Sequence, residues 1–281
     1  MKSSAKIRLV AIDLDGTLLN SSKGVTEATA AVLRDAQRMV GLRIVLASAR
    51  PPRSVMPFYS LLDLDTPMIN YNGALVYDPT DKRVVMHRPI PCDTARQIVA
   101  IAREAYPDVL VSAEVMDQWF TDRLSQTYLT QTAMTHKPDL VAPIDQWLNQ
   151  PITKLLLLGE QQGIKMLSEL LSRRFLHQVA MVQTEMTLLQ IMHATVSKAA
   201  ALKTVAAELG LEREQVMAIG DNANDVGMLL WAGIGVAMAN AAPEVIAAAD
   251  YVTDHHDADG VAKAIREIVV KGSSAKKRKA K

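Results

Sequence analysis

The chain has 281 residues, 49% of them hydrophobic, and a formal net charge of +1, which suits two domains with sizeable cores and excludes a disordered protein. Its single cysteine, Cys92, excludes an internal disulfide framework and fits a reducing compartment. Six basic residues fall in the closing KGSSAKKRKAK; taking those six charges from the net +1 leaves −5 elsewhere, so nucleic acid is not expected as the main partner and residues 271–281 read as a disordered basic tail.

No apolar signal region precedes Asp13, and no uninterrupted apolar run approaches the ~18 residues of a membrane span. A cytoplasmic protein without membrane association is expected. In RLVAIDLDGTLLN, Ile7 and Leu9 to Ile12 read as a short buried strand closed by turn chemistry at Gly16. If the chain stays extended through Leu14, alternation puts Asp13 and Asp15 on one side, and two such close like charges call for a cation. TEATAAVLRDAQRMV spaces Ala28, Val32, Ala36 and Val40 four apart, as an amphipathic helix does. LRIVLAS is a second buried strand, and Ser48-Ala49-Arg50-Pro51-Pro52 passes from its end into a helix. TPMIN and YNGALVY follow, with a turn at Asn72-Gly73.

Over residues 84–187 the pattern changes. DTARQIVAIAREAY and GIKMLSELLSRRFL are helical, while DVLVSAEV, ITKLLLLG, QVAMVQTE and MTLLQIM are strand-like, with little glycine between them. Strict alternation then returns: KAAALKTVAAELG as helix, QVMAIG as strand, ANDVGMLLWAG as helix, IGVAM as strand, and two further helices to about residue 270. The reading is an α/β protein, with a doubly wound parallel-sheet domain (1–83 and 188–270) interrupted by an α+β insertion (84–187).

Ligands of such sheets bind where strands end, which singles out Asp13 with Asp15, Ser48, Lys198, and the Asp221 and Asp225 of GDNAND. Lys198 opens a helix, where the dipole disfavours a cation, a placement that makes sense if an anion docks there. Carboxylates converging at one sheet edge, with no Cys/His cluster beside them, point to oxygen-only ligation and Mg²⁺; serine and lysine beside that metal suit a phosphate. The DHHDAD segment around His255 and His256 reads more simply as a solvated loop than as a His/Asp metal site.

DLDGT, a strand ending in Ser48, Lys198 before a helix, and GDNAND, in this order, resemble the four motifs of the haloacid dehalogenase superfamily. NYNGALVY, LLQIMHATVSK, GVAMANA and YVTDHHDADGVAKAI are similar to segments of its Cof-type, subfamily IIB, sugar-phosphatase-like members. The resemblance implies a Rossmann-like core with an inserted cap, and a Mg²⁺-dependent phosphatase of small phosphorylated metabolites, sugar phosphates foremost. It makes Asp13 the nucleophile that becomes phosphorylated, and Asp15 the general acid and base with its main-chain carbonyl on the metal. Asp221 becomes a metal ligand, and Asp225 a ligand or a partner behind it. Ser48, Lys198, Asn224 and the N–H groups of Leu14 and Ala49 hold the phosphoryl oxygens, with Arg50 and Asn72 beside them. A phosphomutase of the same superfamily and a non-enzymatic phospho-acceptor module are the alternatives; a dehalogenase would have no leaving oxygen for Asp15 to protonate.

Three departures stand out. Relatives of this kind commonly have Thr-Gly-Arg at Ser48-Ala49-Arg50, Lys-Gly at Lys198-Ala199, and Ser-Asn at His255-His256, with glutamate at Ala258. Serine keeps the hydroxyl, whereas alanine for glycine restricts the backbone. In the insertion, Trp119, Lys154 and Glu114 are candidates for lid contacts or for plain packing.

Overall fold

The computed structural model of the protein describes residues 6–128 and 132–272, so all but the first two residues of the basic tail lie outside the described residues. The chain folds into two compact units, one built from the residues up to Met86 and from Ser197 onward, the other from His87–Val196. No helix among the described residues is long and apolar enough to cross a membrane.

The first unit opens with β1 (Leu9–Ile12), α1 (Glu27–Val40), β2 (Arg43–Leu46), α2 (Pro52–Leu61), β3 (Met68–Asn70), β4 (Leu75–Asp78) and β5 (Arg83–His87). The Thr26 hydroxyl caps α1 by accepting from the Thr29 N–H, and Gly41 in the left-handed region ends it. The second unit holds α3 (Cys92–Ala105), β6 (Leu110–Val115), β7 (Gln118–Thr121), β8 (Leu140–Val141), β9 (Lys154–Leu158), α4 (Gln161–Arg174), β10 (Val179–Glu185) and β11 (Leu188–His193). The chain then completes the first unit with α5 (Lys198–Glu208), β12 (Val216–Gly220), α6 (Val226–Trp231), β13 (Ile234–Ala237), α7 (Pro243–Ala248), β14 (Tyr251–Val252) and α8 (Gly260–Ala264), which continues as wider turns through Ile265–Val270.

Five strands form a parallel sheet in the order β14-β13-β12-β1-β2. A parallel sheet needs cover on both faces, and alternation along its strands supplies the apolar residues for each. Val10, Ile12, Ile44, Leu46, Met217 and Ile219 pack in one cluster with Leu33 of α1 and Ile265 of the last helical segment. Leu9, Ala11, Val45, Val216 and Ala218 pack in another, with Leu202 and Val205 of α5 and Leu229 of α6. This is the doubly wound α/β core expected from the sequence. A short sheet, β3-β4-β5, adjoins it through a bridge between Ala47 and Ile69.

The second unit is α+β: six strands ordered β10-β11-β9-β6-β7-β8, antiparallel except for β7 with β8. Val111, Ala113, Leu155, Leu157, Leu189 and Ile191 pack against Ile98 of α3 and Leu167 of α4. By alternation the other face carries Leu110, Leu156, Leu158 and Leu188, which cluster with Tyr128, and also Ser112, Glu114 and Lys154. Glu114 and Lys154 are buried cross-strand neighbours, and Trp119, opposite Glu114, donates its indole N–H to the Ser112 hydroxyl at 2.5 Å. Because β11 pairs with both β9 and β10, residues 188–196 cluster with this unit and not with the returning core.

Candidate active site

In-register pairing sets Ile12 beside both Leu46 and Ile219, so β1, β2 and β12 end side by side. Asp13 and Asp221 follow their strand ends directly, and Ser48 follows the end of β2 with one residue between. Lys198 arrives as the first residue of α5, whose N-cap Ser197 accepts from the Ala200 N–H, and Asp225 closes a short turn, Ala223–Asp225.

The Lys198 ammonium is fully buried and donates to Asp13 Oδ1 at 2.5 Å and to Asp225 Oδ1 at 2.7 Å. The other oxygen of Asp225 accepts the N–H groups of Asp221 and Asn222, each at 3.1 Å. Asp221 Oδ1 accepts the Thr17 hydroxyl at 2.7 Å. One carboxylate oxygen from each of Asp13, Asp221 and Asp225 lies within 4.8 Å of the others. Burial pushes the Asp13 carboxyl well above its ordinary range; Lys198 pulls it down, while Asp225 and Asp221 push it further up. Burial also raises Asp221, against the bond from Thr17. Burial alone would lower Lys198, but Asp13 and Asp225 outweigh it and hold the ammonium above its usual value. One cation among three carboxylates leaves an excess of negative charge, and two of those carboxyls are the ones pushed up.

Asp15 departs from the simple alternation. The strand stops at Ile12, and the chain turns: Thr17 and Leu19 N–H donate to the Leu14 carbonyl (3.3 and 2.9 Å), and Leu18 N–H to that of Asp13 (3.2 Å). The expected extension through Leu14 is therefore incorrect, because Leu14 is buried in the core and its carbonyl closes the turn. Asp13 shares Lys198 with Asp225, whereas Asp15 has cations of its own. Arg50 grips Asp15 through Nε at 2.7 Å and Nη2 at 2.6 Å, and Lys23 adds a third bond at 3.0 Å. Burial pushes the Asp15 carboxyl up, but the bonds and charges of Arg50 and Lys23 outweigh it and hold it below the usual range.

The remaining expected residues stand nearby in the chain's own loops. Ser48 is buried, and its hydroxyl accepts the Arg50 N–H at 3.1 Å. The N–H groups of Leu14 and Ala49 donate to no acceptor among the described residues. Asn72, in the left-handed region at φ 56°, accepts from the Asn224 amide at 2.9 Å. Neither Ser48 nor the Asn72–Asn224 pair bonds the carboxylates among the described residues.

Four residues escaped the sequence reading as parts of the site: Gly16, Thr17, Lys23 and Asn240. Gly16 and Thr17 stand inside DLDGT, so the motif itself carried their signal. Gly16 has φ +82°, and a Cβ there would lie 2.4 Å from Asp221 Oδ2. Its carbonyl accepts the Asn240 amide at 2.8 Å. Gly16→Ala is therefore expected to lose roughly 1–2 kcal/mol of stability through the unfavourable φ alone, and to lose activity beyond that by displacing Asp221. Denaturant unfolding together with turnover checks both, and a variant with parental stability and turnover would show that the turn relaxes freely.

The sequence profile of the haloacid dehalogenase-like hydrolases matches residues 10–265. The chain belongs to that family. Among its relatives, the Bacillus subtilis strain 168 protein named "Putative phosphatase YxeH" is 32% identical, over 94% of this chain and 98% of its own. The 5-amino-6-(5-phospho-D-ribitylamino)uracil phosphatase YitU of the same strain is 30% identical, over 92% and 96%. The crystal structure of a haloacid dehalogenase-like hydrolase from Bacteroides thetaiotaomicron superposes with a TM-score of 0.86 at 29% identity, over 94% of this chain and all of that one. The chain is thus a haloacid dehalogenase-like hydrolase of the phosphatase kind, a phosphoric monoester hydrolase.

Proposed function

We propose that this hydrolase is a Mg²⁺-dependent phosphatase of small phosphorylated metabolites, sugar phosphates foremost, which passes through an aspartyl-phosphate on Asp13. The observation that carries the reading is the Lys198 ammonium buried between Asp13 and Asp225 with Asp221 alongside, a carboxylate cluster too negative for one cation. Its donors are oxygens alone, the ligand set of Mg²⁺. Asp225 is fully buried, commits both lone pairs of Oδ2 to backbone N–H groups and turns Oδ1 to the Lys198 ammonium, so the metal would be held by the carboxylates of Asp13 and Asp221 and the main-chain carbonyl of Asp15, with Asp225 fixing Lys198 and the Asp221 backbone. Bound Mg²⁺ would neutralise charge on the transferring phosphoryl group.

The side chains supply the rest. An Asp13 oxygen attacks phosphorus in line, the bond from phosphorus to the ester oxygen breaks, and Asp15 gives the departing alkoxide its proton. Asp15 then takes a proton from the water that attacks the aspartyl-phosphate, releasing phosphate and restoring Asp13. Lys198, the Ser48 hydroxyl, the N–H groups of Leu14 and Ala49, and the Asn224 and Asn72 amides are the donors assigned to phosphoryl and substrate oxygens. Arg50, paired with Asp15, sets the acid–base carboxylate. Residues 87–196 act as the cap that selects the substrate. The phosphorylated ribityl chain in the name of the relative YitU lies in the same polyol-phosphate class.

The test is phosphate release across a panel of sugar phosphates, nucleotides and cofactor phosphates. Activity is expected to vanish with chelator and to return with Mg²⁺ better than with Ca²⁺, which prefers longer bonds and more ligands. Full turnover in chelator, or by Asp221→Ala without added metal, would refute the metal assignment; a panel on which nucleotides outrun sugar phosphates would refute the substrate class.

A further inference from the structure

Outside the carboxylate cluster, the loop between β14 and α8 gathers a donor set of different chemistry. His255, His256 and Asp257 are consecutive, and one ligand atom from each lies within 4.8 Å of the others. His255 Nδ1 stands 3.7 Å and His256 Nε2 3.8 Å from Asp257 Oδ2, close to the ~3.4 Å edge of a tetrahedron whose donors sit about 2.1 Å from a metal. The two imidazoles lie 4.5 Å apart, tilted by 32°.

His256 is oriented from outside this triad. Its Nδ1 faces the Leu19 carbonyl at 2.8 Å, and a carbonyl only accepts, so Nδ1 carries the proton and the neutral ring offers its lone pair at Nε2. A ring N–H anchored on a backbone carbonyl is the support commonly found behind metal-bound histidine. Whenever Nε2 carries no proton, its lone pair stands 3.8 Å from a carboxylate oxygen, an arrangement of two acceptors that a cation between them would satisfy. Asp257 is fixed in the same way, since its two oxygens accept the Ser21 N–H and hydroxyl, each at 2.7 Å. His255 Nδ1 accepts the Asp257 N–H at 3.1 Å, an exposed bond that the ring gives up when it takes a metal. His255 and Asp257 are about half exposed, so a cation enters from solvent and water completes its shell.

We propose that His255, His256 and Asp257 form a second metal site, selective for a divalent transition cation of the Zn²⁺ type over Mg²⁺, because two imidazoles and one carboxylate suit a borderline-soft ion. The site is separate from the oxygen-only cluster but tied to the same loops. His256 N–H donates to Asn240 Oδ1 at 3.1 Å, the Asn240 amide holds the Gly16 carbonyl, and Leu19 and Ser21 anchor the triad to the segment following Asp13 and Asp15. A bound cation would therefore staple the loops after β1, β13 and β14.

The test titrates Zn²⁺ by calorimetry into the tag-free full chain in large excess of Mg²⁺, which occupies the oxygen site, and follows Co²⁺ by its visible absorption. One Zn²⁺ is expected to bind the parent. A His255→Ala,His256→Ala double variant should lose that equivalent, or bind it at least 10-fold more weakly, while keeping parental Mg²⁺-supported turnover without Zn²⁺. Asp257→Asn, which removes only the charge, should also weaken binding at least 10-fold and serves if the double variant does not fold. Equal Zn²⁺ stoichiometry and affinity in the parent and these variants, or no Zn²⁺ uptake by the parent under excess Mg²⁺, would overturn the site.

Discussion

Asp13→Asn is expected to lose turnover by roughly 10⁴-fold or more, the scale of deleting the nucleophile in covalent catalysis, and yet to unfold at a higher temperature than the parent in chelator. The two effects share one cause. Asp13 is a buried carboxylate facing a lysine that already serves Asp225, with Asp221 adding a third negative charge. Its pKa is raised in the folded protein, so the folded state holds the extra proton and stability falls as pH rises from the ordinary carboxylate range through the raised value. Where Asp13 is ionised, its charge burdens the fold. Asparagine keeps the shape, still accepts from Lys198 and removes the charge, while the Lys198–Asp225 pair survives. A gain of about 1 kcal/mol would raise the melting temperature by a few degrees, as expected where a site trades stability for activity. Added Mg²⁺ should then stabilise the parent more than the variant, by mass action. Melting curves with and without metal decide the matter: a variant less stable than the parent in chelator contradicts the charge argument, and residual phosphate release above a background preparation contradicts the nucleophile.

Asp15→Asn should separate the two half-reactions. Proton transfer by a positioned carboxyl is worth roughly 10²–10⁴-fold in each step that uses it. Arg50 and Lys23 hold Asp15 ionised in the free protein, the form needed to activate water; acting as acid requires a proton gained with the substrate in place. An ester with an acidic leaving group, such as p-nitrophenyl phosphate, scarcely needs the acid, but hydrolysis of the aspartyl-phosphate still needs the base. The variant should therefore release a burst of p-nitrophenol and then turn over slowly, with phosphate accumulating on Asp13. Acid-quenched protein should carry the label, and Asp13→Asn,Asp15→Asn should not. Parental rates on alkyl phosphates would reduce Asp15 to a structural anchor for Arg50.

The α/β alternation was legible because both faces of the parallel sheet are covered, which makes LVAI, and IVL after Arg43, unbroken apolar runs. The placement of Asp13, Ser48 and Asp221 at the sheet edge was legible because strand ends are where polar residues interrupt such runs, and Lys198 stood out because it opens a helix against the dipole. What the sequence concealed were interactions across distance in the chain. Alternation placed Asp15 beside Asp13, but hydrogen bonds to the Leu14 carbonyl turn the chain after Ile12, and a guanidinium 35 positions away claims the carboxylate. Likewise Thr17 looks like part of a turn until Asp221, 204 positions on, accepts its hydroxyl. The His255–Asp257 grouping gained meaning only from the Leu19 carbonyl and Ser21, which no local pattern connects to it.

The position of β1 inside its sheet also dictates when the site can come into being. Leu9 pairs with Arg43 on one side, a short loop away, and with Val216 on the other, so the first strand made must wait through the whole of His87–Val196 for its second neighbour. Such non-local pairing is slow to form and leaves an open strand edge in the meantime. During synthesis, the continuous second unit can close all six of its strands while β1 still has one unpaired side. A chain arrested before Val216 would contain Asp13, Asp15, Ser48 and even Lys198, yet lack β12 and the Asp221 and Asp225 that follow it, and its exposed β1 edge would be a place for aggregation or chaperone capture.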